Sequence, residues 1–295
     1  MDEPQLTWNL VEDVRQVLEY PFMVNAFRAG AIVAVLAGLV GWFMVLRRQS
    51  FAGHTLAVVG FPGAAGAVLV GVGATYGLLA FAVVAALVIG LVPASTGRSY
   101  SEESAVTGTV NAFALACGYL FVVLYGGYVS GASALLFGSF LGIGPGQVVL
   151  LLLVASVTLA GLAAIGRPLL FASVDPDVAA ARGVPVRALS VAFLVLLGAA
   201  AAEVSQITGT LLVFALLVVP AAAAQAWTAR PVVGAVLAVV IGVAVVWTAL
   251  FVAYFTPYPI GFFVTSVAFA VYLLAVGTSR LRAGLAAGRA SGGTP

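Results

Sequence analysis

Gly166–Arg187, GRPLLFASVDPDVAAARGVPVR, is the longest polar interruption in an otherwise apolar chain. One apolar run, Val148–Ile165, ends just before it, and another begins at Ala188. Asp175 suits an N-cap, and Pro176 suits the first helical position, where a missing N–H costs nothing. The spacing therefore predicts a short helix over Val178–Arg182. Gly183 ends it in the left-handed region, and Pro185 forbids its continuation. A capped polar helix on a stalk of two apolar runs is the tip of a hairpin of membrane spans. An ordinary loop helix would look the same in composition.

Working outward, the whole chain fits that setting. Of its 295 residues, 63% are hydrophobic and 7% charged, with a mean hydropathy of +1.19. Soluble domains carry roughly a quarter charged residues. Backbone polar groups in lipid must be satisfied within helices or closed barrels, and no apolar run here alternates with period two. The fold class is an all-α polytopic membrane bundle. The chain has no lysine, so a phosphate-binding GxxxxGK[ST] loop is impossible and nucleotide energy must come from another chain. The single cysteine, Cys117, excludes an internal disulfide and a cysteine metal cluster, and the single histidine excludes a multi-histidine site within one chain. Arginines are scattered at run ends, which gives nucleic-acid binding no support.

In chain order, residues 1–21 hold Asp2, Glu3, Glu12, Asp13 and Glu19, with Leu6, Leu10, Val14 and Leu18 at helical spacing. This pattern predicts an amphipathic helix on the membrane surface, without the basic start and small-residue cleavage site of a signal peptide. Apolar runs follow at Phe22–Leu46, His54–Val72, Thr75–Pro93, Thr107–Tyr125, Val148–Ile165, Ala188–Ala202, Ile207–Trp227, Pro231–Phe251 and Gly261–Leu281. Most approach the ~20 residues that cross a bilayer. The expected count is about nine spans, within eight to ten. Gly131–Gly142 is too short to span and reads as a re-entrant or interfacial helix. Alternating spans place Arg47, Arg48, Arg98, Arg167, Arg182, Arg187, Arg230, Arg280, Arg282 and Arg289 on one side, and only Arg15 and Arg28 on or near the other. By the positive-inside rule the N-terminus lies outside and the C-terminus is cytoplasmic. The expected organisation is a surface segment over 1–21, a transmembrane domain over 22–281 with a cytoplasmic loop at 167–187, and a flexible tail over 282–295.

Three stretches together resemble the membrane permeases of metal-ion ABC transporters, the zinc/manganese uptake family. Val45–Gly66, VLRRQSFAGHTLAVVGFPGAAG, is similar to that family's LRRxSxxGDALSHAxLPG region. Ser173–Arg187, SVDPDVAAARGVPVR, resembles its SFDPExAxxxGVPV loop, and Gln206–Ala224, QITGTLLVFALLVVPAAAA, resembles QxVGxLLVxALLxxPAA. The three stand in the family's order and spacing, and the likeness covers Phe22 to about Leu281. It implies a permease subunit of an importer in a bacterial plasma membrane, with no ATPase site and no permanently bound cofactor, moving a divalent metal cation, zinc or manganese. It also implies a cytoplasmic ATP-binding subunit, an extracytoplasmic metal-binding protein and a second permease chain as a homodimer. Asp175, Pro176, Asp177, Arg182, Gly183 and Val184 are then the residues that couple to the ATPase. The chain departs from the pattern where the family's Asp and His stand one helical turn apart: here those positions hold His54 and Val58.

The remaining candidates are the polar residues at membrane depth. A carboxylate such as Glu203 persists there only beside water, a cation or a partner; the alternative is a solvated place at the outer interface. Gln206 shares its helix face. The shortness of Ala188–Ala202 predicts a discontinuous helix that brings Glu203 below the interface. His54 is a second transport or metal candidate, with a hydrogen-bonded core histidine as the competing role. Imidazole with carboxylate would suit zinc, and manganese remains compatible. Glu102 and Glu103 open the run from Thr107 and suit a helix N-terminus. A cobalamin or iron-siderophore permease, with a wide apolar cavity, is the alternative within transporters. An intramembrane enzyme would need a fuller acid–base constellation than one histidine and one glutamate.

Overall fold

Prolines mark several helix starts. Pro21, Pro145, Pro176 and Pro231 each occupy the first turn of a helix, where the lost N–H is not needed. The computed structural model describes residues 9–92, 100–125, 142–210 and 212–291. In chain order the helices are α1 Leu10–Glu19, α2 Pro21–Leu46, α3 Ser50–Leu69, α4 Ala74–Leu91, α5 Tyr100–Tyr125, α6 Pro145–Val174, α7 Pro176–Ala181, α8 Val186–Thr208, α9 Val213–Trp227, α10 Pro231–Tyr254 and α11 Ile260–Ser291. No strand occurs among the described residues. Eight of these helices (α2 to α6, α8, α10 and α11) are long and apolar enough to cross a membrane.

The boundaries shift in three places. The run ending at Ala202 does not stop there: α8 continues through Glu203 to Thr208. The chain breaks instead at Gly209, whose φ of 77° is easy only for glycine. The expected run Ile207–Trp227 is thereby divided, and its second part, α9, has 15 residues, too few for a full crossing. Gly209 and Thr210 are buried, so this irregular backbone lies inside protein, as membrane depth requires. Third, α11 carries the chain as helix to Ser291, so most of the tail expected to be flexible is helical backbone built from alanine-rich sequence. The expected Gly131–Gly142 segment falls almost wholly outside the described residues, as does most of 1–9.

Burial explains the layering. α2, α3 and α8 supply most of the fully buried large side chains, among them Leu36, Met44, Leu56, Phe193 and Leu197. Exposed Leu120, Val123 and Leu124 on α5, Val236 and Val240 on α10, and Leu273 and Leu274 on α11 face outward, where lipid hydrocarbon makes such exposure harmless. α3 and α4 cross at Gly63 and Gly77. A β-carbon on either glycine would run into the other's carbonyl oxygen. α1 buries Val17 while Val11, Val14 and Leu18 remain exposed.

Candidate functional site

The polar tip forms as its sequence dictates. Asp175 caps α7, its Oδ1 accepting a hydrogen bond from the Val178 N–H at 3.0 Å. At the other end Gly183 takes φ 80°; its N–H donates to the Ala180 carbonyl (2.9 Å) and the Val184 N–H to the Ala179 carbonyl (3.0 Å). These two bonds close a Schellman cap. Asp177 and Arg182 lie exposed on the helix and at its end.

The same cap recurs at the end of α2 with Arg48 as the left-handed residue, at φ 57°. The Arg48 and Gln49 N–H groups donate to the Val45 and Met44 carbonyls at 3.0 and 2.9 Å. This turn aims Arg47 back at the base of the α6–α7–α8 hairpin. Its guanidinium donates to Ser173 Oγ (3.0 Å) near the end of α6, to Ser190 Oγ (2.7 Å) near the start of α8 and to Gln49 Oε1 (3.2 Å). It also lies 5.5 Å from the centroid of the Phe193 ring. Gln49 Nε2 in turn donates to Glu103 Oε1 at 2.9 Å, which gives Glu103 a specific partner beyond the helix dipole. Burial draws the Arg47 pKa below the usual arginine range, and the Glu103 charge opposes that shift. One arginine thus clamps both helices that flank α7. Its partners on α6 and α8 lie 126 and 143 residues away along the chain.

Glu203 is fully buried in α8, and neither carboxylate oxygen has a hydrogen-bond partner among the described residues. Its burial comes from a continuous helix rather than from the discontinuous one expected from the sequence. Gln206 has an assigned contact: its Oε1 accepts from Thr75 Oγ1 at 3.2 Å, tying α8 to the start of α4.

His54 is half-buried in the second turn of α3, its ring edge-on to Phe214 of α9 at 5.6 Å between centroids. The structure does not bring His54 and Glu203 together. Gly53 lies against Leu197 and Gly60 against Ser205, so α3 and α8 run in the same direction. At 1.5 Å per residue, Glu203 lies about 7 Å further along that shared axis than His54. It also sits two residues before Ser205, about 200° around α8 from the side chain that meets α3. Among the described residues no three His, Cys, Asp or Glu side chains group closely enough to hold a metal. Arg47, Ser173, Ser190 and Phe214 were absent from the sequence candidates. The only local signal was an arginine pair directly following an apolar run.

A helical bundle with eight membrane-length helices and a capped polar helix between two of them is a multi-pass membrane protein. The chain belongs to the ABC 3 transport family, whose sequence profile matches residues 19–279. It is 29% identical over 222 residues to the manganese transport system membrane protein MntC of Halalkalibacterium halodurans, covering 75% of each chain. It is likewise 29% identical over 221 residues to the chelated iron transport system membrane protein YfeC of Yersinia pestis, covering 75% of this chain and 74% of that one. Its fold matches that of PsaBC from Streptococcus pneumoniae in complex with Fab, with a TM-score of 0.79 over 90% of this chain and 95% of that one, at 24% identity.

Proposed function

We propose that this chain is the permease subunit of an ABC importer that moves a divalent metal cation, manganese or zinc, into the cell. The observation that carries this reading is the doubly capped helix α7, presented between two spans of an ABC 3 family chain. α7 is the contact for a separate ATP-binding subunit, with Asp175, Pro176, Asp177, Arg182, Gly183 and Val184 shaping its surface. The arginine bias supports a cytoplasmic α7 and C-terminus with the N-terminus outside. An extracytoplasmic metal-binding protein delivers the cation on the opposite face.

With too few ligands grouped among the described residues of one chain, a second copy of the permease completes the route. His54, half-buried and close to Phe214, acts as a ligand or gate and is doubled by the two-fold relation of a homodimer. Glu203 supplies negative charge at a second level, so the cation meets the two residues in sequence rather than together. The unpartnered state of Glu203 supports this role, because a bare buried carboxylate is costly unless a cation or proton compensates it. Its neighbour Gln206 helps hold the far end of α8 in place.

The test is uptake by proteoliposomes holding the permease, its ATP-binding subunit and its binding protein, offered manganese or zinc ions. Glu203→Gln and His54→Ala should each lower uptake at least tenfold while leaving the amount of folded protein unchanged. Wild-type uptake by both variants would place the cation route elsewhere. Uptake of an iron chelate or a cobalamin without uptake of free ions would replace this reading with the chelate one.

A further inference from the structure

A groove of about 1060 Å³ runs between α4, α6 and α8, directly beside α7. Its walls are aliphatic, including Leu87 and Leu91 of α4, Ile165 of α6, and Ala192 and Leu196 of α8; the charged lining residue is Arg187. Leu87 and Leu91 are exposed, so the groove opens on the outer surface of the bundle rather than into its core. Ala180 of α7 and Pro185 close the end nearest the polar tip.

Arg187 stands in the first turn of α8, exposed, and spends one N–H on the Leu91 carbonyl at the end of α4 (3.2 Å). That bond ties the base of the side chain's reach to the groove mouth. The remaining guanidinium donors have no carboxylate partner among the described residues. A guanidinium at the membrane boundary, fixed over an aliphatic channel, matches one abundant kind of molecule. We propose that the groove binds an anionic phospholipid, its phosphate held by Arg187 and one acyl chain laid between α4, α6 and α8.

Three features favour a lipid over a second protein chain. The two non-bridging oxygens of the phosphate supply the paired acceptor that arginine's planar guanidinium matches. The N-terminus of α8 adds favourable potential for negative charge at the same place. A protein face packed here would instead bury the Arg187 charge and need its own acid aligned to it. Basic positions between spans are a recurrent location for anionic head groups. The binding stands apart from the transport reading. Its consequence, that the lipid braces the helix next to α7, rests on that reading.

The experiment uses the full chain purified in mild detergent and followed by native mass spectrometry while vesicles of phosphatidylglycerol or phosphatidylcholine are added. Wild type should retain phosphatidylglycerol at least fivefold more than phosphatidylcholine. Arg187→Gln should lose that preference, and Arg187→Lys should keep part of it. Ala192→Phe, which fills the channel, should lose retention of both lipids. Equal retention of the two lipids by wild type and Arg187→Gln overturns the proposal. So does efficient disulfide crosslinking of Ala192→Cys between copies in a Cys117→Ser background, since the groove would then be an interface. ATP hydrolysis by the assembled transporter, compared in the two lipids, separates the brace from the binding: retention without any lipid effect on hydrolysis leaves the site standing and removes its link to α7.

Discussion

Removing the Arg47 guanidinium should loosen the base of α7 without disturbing the helices themselves. Arg47→Met keeps much of the side chain's length and its packing on Phe193. It deletes the bonds to Ser173 Oγ at 3.0 Å and Ser190 Oγ at 2.7 Å. Hydrogen bonds to a charged group contribute about 1.5–3 kcal/mol each, so the two together represent about 3–6 kcal/mol before offsets. Burial of the charge opposes them, as the lowered pKa of Arg47 records, and Met recovers some apolar packing. A net loss of about 2 kcal/mol remains. A double-mutant cycle of Arg47→Met with Ser190→Ala, measured by denaturant titration in detergent, should give a coupling of about 1–2 kcal/mol. Under the proposed function the variant should also hydrolyse ATP with less uptake per ATP, because the hairpin no longer moves as one piece with α2. Additivity within about 0.5 kcal/mol would refute the clamp. Arg47→Lys should not rescue it, since an ammonium cannot bridge two serines and Gln49 in a fixed fork.

Gly183→Val forces a β-branched residue to φ 80° and should cost about 1–2 kcal/mol locally, abolishing stimulation of the ATP-binding subunit while membrane insertion persists. Unchanged stimulation would remove α7 from the coupling role. Gly41→Ala places a methyl group against the Leu217 carbonyl oxygen and should destabilise the α2–α9 contact by about 2 kcal/mol or more, read as a lower detergent melting temperature. His54→Asp should shift preference from zinc towards manganese in competitive uptake, since it exchanges an imidazole for a hard oxygen ligand. The purified chain alone should hydrolyse no ATP, and robust turnover would contradict the lysine-free sequence argument.

Legibility in the sequence followed the range of the forces involved. The caps of α7 were readable because Asp175, Pro176 and Gly183 act on atoms within a few residues of themselves. The spans were readable because each is a composition statement about some twenty residues. The end of α8 was not: Glu203 looks like a boundary, yet helices packed around it carry the chain on to Thr208, and Gly209 makes the break. The Arg47 clamp was invisible for the same reason, since two serines distant in sequence become its partners only after the bundle forms. His54 was found as a candidate. The different directions of His54 and Glu203 around the helices follow from the register of α3 on α8, which no local pattern encodes.

The crossing of α3 and α4 at Gly63 and Gly77 bears on how such a bundle can move. Where two backbones touch with no side chain between them, neither helix can rotate or slide without driving one carbonyl into the other. The pair is therefore a single lever, and His54 near one end of it travels with Thr75 near the other. A rigid-body motion of the pair against α8 would pull on the Thr75–Gln206 hydrogen bond, which ties α4 to α8. A spectroscopic probe beside that bond would report movement of the α3–α4 pair against α8.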